Sequence, residues 1–263
     1  MSVAHDLLAG RVAELGLVRA SELPARGARA AASHTRPAPV PASPESSHDP
    51  EPEPAHDPEQ ALLPVPGPLG GLLPWGGLRR GSTVSVHGST ALLLALVAQA
   101  SRAGSWCALV GLPGVGMAAA HEAGMDLART ALVPRPGPRP ATVVAALVDG
   151  VDVVVLGGAS AWRAGDRQRL AARVRQKGAV LVPVGAWPGA DVELQATGGT
   201  WSGLLGDGAG RLRSRRVHLR CAARGRARDL RSDVLLPGPG GRCAVPDDES
   251  GPVGADLAPV RAG

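Results

Sequence analysis

The 263-residue chain has no tyrosine, no phenylalanine and a single lysine, Lys177. Its only aromatics are Trp75, Trp106, Trp162, Trp187 and Trp201, so a core must be built from Val, Leu and Ala. That composition suits a parallel sheet, whose strands are buried on both faces and rich in aliphatic residues. Cys107, Cys221 and Cys243 stand apart, without C-x-x-C spacing. This argues against a disulfide framework or zinc site and fits a reducing cytoplasm. The opening Met1-Ser-Val-Ala-His-Asp6 lacks the basic start and apolar run of a signal peptide. The best apolar run, Ala91–Ala98, is too short to cross a bilayer. A cytoplasmic protein without a membrane partner is expected.

Gly and Pro are abundant, at 36 and 25 residues, and they cluster. Residues 1–18 carry Leu7, Leu8, Val12, Leu15 and Leu17 at roughly helical spacing, which predicts a short amphipathic helix. Residues 19–61 hold almost no large apolar side chains after Leu23, and include the acids Glu45, Asp49, Glu51, Glu53, Asp57 and Glu59. They cannot bury enough surface to offset ordering entropy, so a disordered linker is expected. A folded domain is expected over 62–236, and a loose Gly-, Pro- and Asp-rich tail over 237–263.

Within that domain, short apolar runs alternate with helical stretches. Thr83–Val86, Trp106–Val110, Thr130–Val133, Val151–Leu156 and Ala179–Val184 read as strands. Ala91–Arg102, Ala118–Gly124, Ala141–Leu147 and Asp166–Gln176 read as helices between them. Such alternation predicts β-α-β crossovers and a mostly parallel sheet flanked by helices. Beyond Pro188 the segments Asp191–Ala196, Thr200–Leu204, Arg211–Cys221 and Val234–Leu236 predict antiparallel strands at one edge, near the C-terminus.

Gly81-Ser-Thr-Val-Ser-Val-His87 followed by Gly88-Ser89-Thr90 and an apolar helix has the order of a phosphate-binding strand, loop and helix. A working loop needs G-x-x-x-x-G-K-[ST], whose backbone amides wrap the phosphates while the lysine supplies charge. Here the loop is short and lacks that lysine. Gly88, Ser89 and Thr90 still lead into a helix N-terminus, which attracts anions. A Ser/Thr helix cap explains the same residues without any ligand and is the favoured reading.

Several segments match a known family in order. They are the lead-in with Gly76, Gly77 and Gly81, Trp106–Val110, Ala123–Leu132, Val151–Val155 and Lys177–Val182. Over Gly81–Val184 the chain resembles the ATPase core of the RecA recombinases. Over Leu62–Gly238 it resembles the actinobacterial ImuA-type proteins, shortened RecA relatives. The fold class this implies is α/β: a RecA-like, mostly parallel sheet flanked by helices with antiparallel edge strands. The resemblance also implies a part in damage-induced, error-prone DNA synthesis, with a Y-family polymerase-like protein and an error-prone DNA polymerase as partners. Carried over position by position, the loop Lys-Thr pair falls on Thr90-Ala91 or on a deletion, and the water-polarising glutamate on Pro113. The metal-holding aspartate falls on Gly157, and the γ-phosphate-sensing glutamine near Ala186. Phosphoryl transfer depends on such positioned charges, each worth about 3 kcal/mol or more. Neither ATP hydrolysis nor a cofactor is expected, and no metal site.

Arg211–Cys221 has period-two patterning, with Val217, Leu219 and Cys221 on one side and Arg216, His218 and Arg220 on the other. Arg213, Arg215, Arg216 and Arg220 are candidates for contact with DNA or an acidic partner. Charge on an edge strand also prevents aggregation. No aromatics interleave these arginines, and Trp201, the nearest, reads as a core filler. Taken together, a non-catalytic accessory or scaffold protein in DNA repair is expected. An ATP-dependent, DNA-binding recombinase-like protein and an interaction scaffold without a nucleic-acid role remain open.

Overall fold

The structure is a computed structural model that describes residues 18–19, 62–204 and 210–246. In chain order it contains β1 (Val18–Arg19), β2 (Leu62–Leu63), α1 (Gly67–Gly70), β3 (Leu78–Arg79), β4 (Val84–His87) and α2 (Thr90–Arg102). Then come β5 (Cys107–Val110), α3 (Met117–Glu122), β6 (Thr130–Val133), α4 (Pro140–Val148), β7 (Val153–Leu156), α5 (Ala164–Lys177) and β8 (Val180–Pro183). The described part ends with β9 (Val192–Leu204), β10 (Gly210–Ala223) and β11 (Leu230–Leu235).

Strands β6, β5, β7 and β8 pair in parallel in that order. Parallel bridges from Thr83 to Leu181 and from Val86 to Val184 join β8 to β4. β4 pairs in parallel with β9, and β9, β10 and β11 follow as antiparallel neighbours. The α/β class is therefore as expected: a mostly parallel sheet flanked by helices, with antiparallel strands at the C-terminal edge.

The alternating side chains of each central strand enter two different cores. Cys107, Leu109, Val153 and Val155 pack with Leu92, Leu93 and Leu96 of α2. Ala108, Val110, Val154 and Leu156 pack with Val144 and Leu147 of α4 and with Leu170 and Val174 of α5. Burial on both faces explains why these strands read as continuous apolar runs. α2 lies deepest, with every residue from Leu92 to Ala98 buried, and β9 and β10 extend its core through Val192, Leu194, Val217 and Leu219.

Three departures from the sequence reading stand out. The expected strands Asp191–Ala196 and Thr200–Leu204 are one strand, β9, because Gly198 and Gly199 accommodate an irregularity in the pairing with β10 instead of ending it. Residues 237–244, expected to belong to a loose tail, make contacts with the domain. Leu235 pairs with Ala244, and the Gly238 amide donates to the Arg242 carbonyl at 2.7 Å. Val18–Arg19, at the junction of the expected helix and linker, pairs antiparallel with Ala131 and Leu132 of β6. The rest of the helix, most of the linker and the tail beyond residue 246 lie outside the described residues.

Burial pushes the Cys107 thiol up to about 12, from an ordinary value of 9.0. The unfolded chain then loses this proton first, so its contribution to stability falls as pH climbs from 9.0 toward about 12. Native Cys107 is expected to resist a thiol reagent and to react once urea unfolds the chain, read by peptide mapping of the label. Leu92 is fully buried. Leu92→Ala is expected to destabilise by about 2–5 kcal/mol in urea titrations followed by circular dichroism.

Candidate functional site

The carboxyl end of β4 delivers His87 into a link of only Gly88 and Ser89 before α2 starts at Thr90. Gly88 has φ +80, and a Cβ there would lie 2.2 Å from the Ala196 carbonyl oxygen of β9. The link is thus pressed directly onto the neighbouring strand, which only glycine permits. Ser89 is extended, and its side chain accepts a hydrogen bond from the Leu92 amide at 3.2 Å. It is the helix N-cap, the second of the two readings its sequence allowed. Thr90 is exposed at the first helical position.

Another position singled out at this edge is equally confined. Gly157 follows β7, and a Cβ there would sit 2.3 Å from the Gly111 carbonyl oxygen and 2.8 Å from Leu112 Cδ2. No carboxylate can be placed at 157 without moving the backbone. Pro113 lies in the turn after β5 and has no acid to offer. Lys177 closes α5, is exposed, and precedes β8, which puts it at the amino edge of the sheet. A β-α site opens at the carboxyl edge. The amino edge has its own latch, in which Arg80 Nη1 lies 2.8 Å from Asp152 Oδ1, while Asp152 Oδ2 accepts from the Trp106 amide. Among the described residues no group of three His, Cys, Asp or Glu side chains is placed to hold a metal ion. No described helix is long and apolar enough to cross a membrane.

Beside His87 opens a cavity of about 420 Å³ lined by Ala186, Trp187, Asp191, Glu193 and Arg224. Two of its polar groups already serve the fold. Asp191 Oδ2 accepts from the Thr83 amide at 2.9 Å, and Arg224 Nη2 donates to the Gly189 carbonyl at 3.0 Å. His87 Nε2 lies 3.6 Å from Glu193 Oε1.

The basic strand β10 shows the expected alternation. Val217, Leu219 and Cys221 are buried, and His218 and Arg220 are exposed. These two polar tips meet carboxylates, however. Arg220 binds Asp229, with Nη2 at 2.6 Å and Nε at 2.7 Å from Oδ2. His218 Nδ1 lies 2.7 Å from Oδ1 of Asp233, which stands directly opposite it in β11. Arg215 donates from Nη2 to the Gly198 carbonyl at 2.8 Å, and its guanidinium lies 5.9 Å from the centre of the Trp201 ring. Arg216 is half-buried, whereas Arg213 is exposed with no carboxylate partner among the described residues. The four candidate arginines therefore share one strand but not one role. Sequence reasoning missed the two aspartates, although a hairpin register placing Asp233 opposite His218 would have exposed one of them. It also mistook Trp201, which belongs to neither core and is 38% exposed.

Gly157→Asp is expected to lower the melting temperature rather than create a metal site, and Ser89→Ala to cost about 1 kcal/mol. Thermal unfolding with and without magnesium and ATP checks both.

Residues 71–189 match the family model described as the MT3502 N-terminal domain. The match ends before β9, so β9–β11 lie outside it. The chain is 43% identical over 136 residues to the uncharacterized protein Rv3395c of Mycobacterium tuberculosis, an alignment covering 50% of this chain and 66% of that protein. It thus spans a little under two thirds of the relative's length. Among solved structures it is similar to the RadB recombinase, with a TM-score of 0.49 and 16% identity over 68% of this chain and 97% of that one.

Proposed function

We propose that this chain is a RecA-like accessory protein of DNA repair that works as a scaffold without hydrolysing ATP. The observation that carries this reading is the short link at Gly88, where a Cβ would lie 2.2 Å from the Ala196 carbonyl oxygen and the Ser89 hydroxyl caps the helix. A phosphate-binding loop must instead turn several amides and a cation toward its ligand. The shut position at Gly157 supports the same reading, since an acid there is what would hold the metal of a phosphoryl-transfer enzyme. The resemblance to ImuA-type proteins supplies the biological setting. In it the chain brings a Y-family polymerase-like protein and an error-prone polymerase together during damage-tolerant synthesis in the cytoplasm. β10 contributes DNA contact through exposed arginines such as Arg213.

A scaffold without any nucleic-acid role is the second reading, favoured by the Arg220–Asp229 ion pair, which consumes a cation on the exposed face. Salt-dependent DNA binding separates the two, because a protein that neutralises phosphates releases counterions.

Phosphate release by the full chain with ATP, magnesium and single-stranded DNA is expected to stay at background, with Lys177→Ala indistinguishable from the parent. DNA-stimulated turnover above background would overturn the proposal.

A further inference from the structure

β9 and β10 are much longer than their neighbours require. The pairing of β4 with β9 ends at His87 opposite Gln195, and that of β10 with β11 at Arg216 opposite Leu235. Arg215 makes the last backbone contacts to the sheet, with Leu236 and Pro237. Trp201 stands opposite Arg215 at the root of the arm, and beyond it the two strands pair only with each other among the described residues, through Ser202 opposite Ser214 and Leu204 opposite Gly210. Because β4 runs toward His87 and β9 is parallel to it, this arm projects past the carboxyl edge of the sheet, beyond the link at Gly88.

The arm has a composition unlike the rest of the molecule. It holds Trp201, the one tryptophan outside both hydrophobic cores, in a chain with no Phe or Tyr to spare. Leu212 nearby is 45% exposed. Exposed Arg211 and Arg213 have no carboxylate partner among the described residues, and across residues 197–216 four arginines face a single acid, Asp207. The other positions are mostly glycine or small hydroxyl residues. Gly199 and Gly203 are needed because a Cβ would lie 2.4 Å from the Arg216 carbonyl oxygen and 2.2 Å from that of Arg211. The resulting surface is low, and a single ring stands on it. The Ser202–Ser214 hydroxyl contact at 2.6 Å and the Arg215 guanidinium hold the strands on either side of that ring.

An aromatic platform on a low, cationic backbone suits one ligand class. Unpaired bases stack on an exposed ring without regard to sequence, while guanidinium groups follow the phosphates. Duplex DNA keeps its bases stacked on one another and offers such a ring nothing. We infer that the β9–β10 arm is a single-stranded nucleic-acid binding element in which Trp201 stacks on a base and Arg211 and Arg213 contact the backbone. This rests on the DNA-contact reading above and relocates that contact from the part of β10 that meets carboxylates to its far end.

The test is fluorescence anisotropy of the full-length chain with a labelled oligothymidylate and, separately, a labelled hairpin duplex, over a salt series. Trp201→Ala is expected to weaken oligothymidylate binding roughly 5- to 100-fold, with Trp201→Phe recovering most of the loss. Duplex binding should change by less than about twofold in either variant. R211Q/R213Q should flatten the log–log salt dependence for the single strand by about 1.4. Melting curves unchanged from the parent show that each variant is folded. Parent-like oligothymidylate affinity in Trp201→Ala overturns the inference, as does an equal loss on duplex and single strand. Weakening by Arg220→Gln but by no arm variant would overturn the arm while leaving DNA contact standing. Failure of the parent to bind either nucleic acid, with or without polyglutamate binding at the arm, overturns both.

Discussion

The structure depends on covering both faces of a few short, Val-rich parallel strands with aliphatic side chains alone. β5, β7 and β8 are buried at every position, and their alternating residues feed two separate cores. With no Phe or Tyr to fill gaps, close approach of backbones does part of that work. Gly111 meets Gly157 where two neighbouring strands end, and Gly88 meets Ala196 where β4 gives way to α2. Such contacts make a dense edge from small residues, as interiors packed to crystal-like density require.

That density bears directly on chemistry. The carboxyl edge of an open α/β sheet is where ligands normally enter. Here Gly88 and Gly157, which follow two of the strands at that edge, each lie against a neighbouring backbone carbonyl with no room for a side chain. Of the charged groups nearby, Asp191 accepts from the Thr83 amide ahead of β4, and Arg224 donates to the Gly189 carbonyl before β9. What projects from this edge is the β9–β10 arm, so the surface available to a partner is displaced from the strand ends to a hairpin beyond them.

Much of the scaffold was legible in the sequence. Thr130–Val133 was read with its observed ends, and the Ser89 cap was one of two stated alternatives for the link. The alternation Val217, Leu219, Cys221 against His218 and Arg220 followed from period two alone. Trp201 was misread because a Trp in an aromatic-poor chain has a strong prior for the core, and nothing local shows that β9 outruns its partners. Arg220 looked available because its partner, Asp229, is reached only when the chain turns back into β11.

The sequence by itself determined the order of strands and helices, the aliphatic character of both cores and the absence of a lysine at the link. These follow from local periodicity and residue chemistry. Only the tertiary structure decided that Gly88 is shut by Ala196, that Gly157 has no room beside Gly111, and which cations of β10 meet a carboxylate. Those outcomes depend on distances between residues far apart in the chain, and pairing register sets such distances.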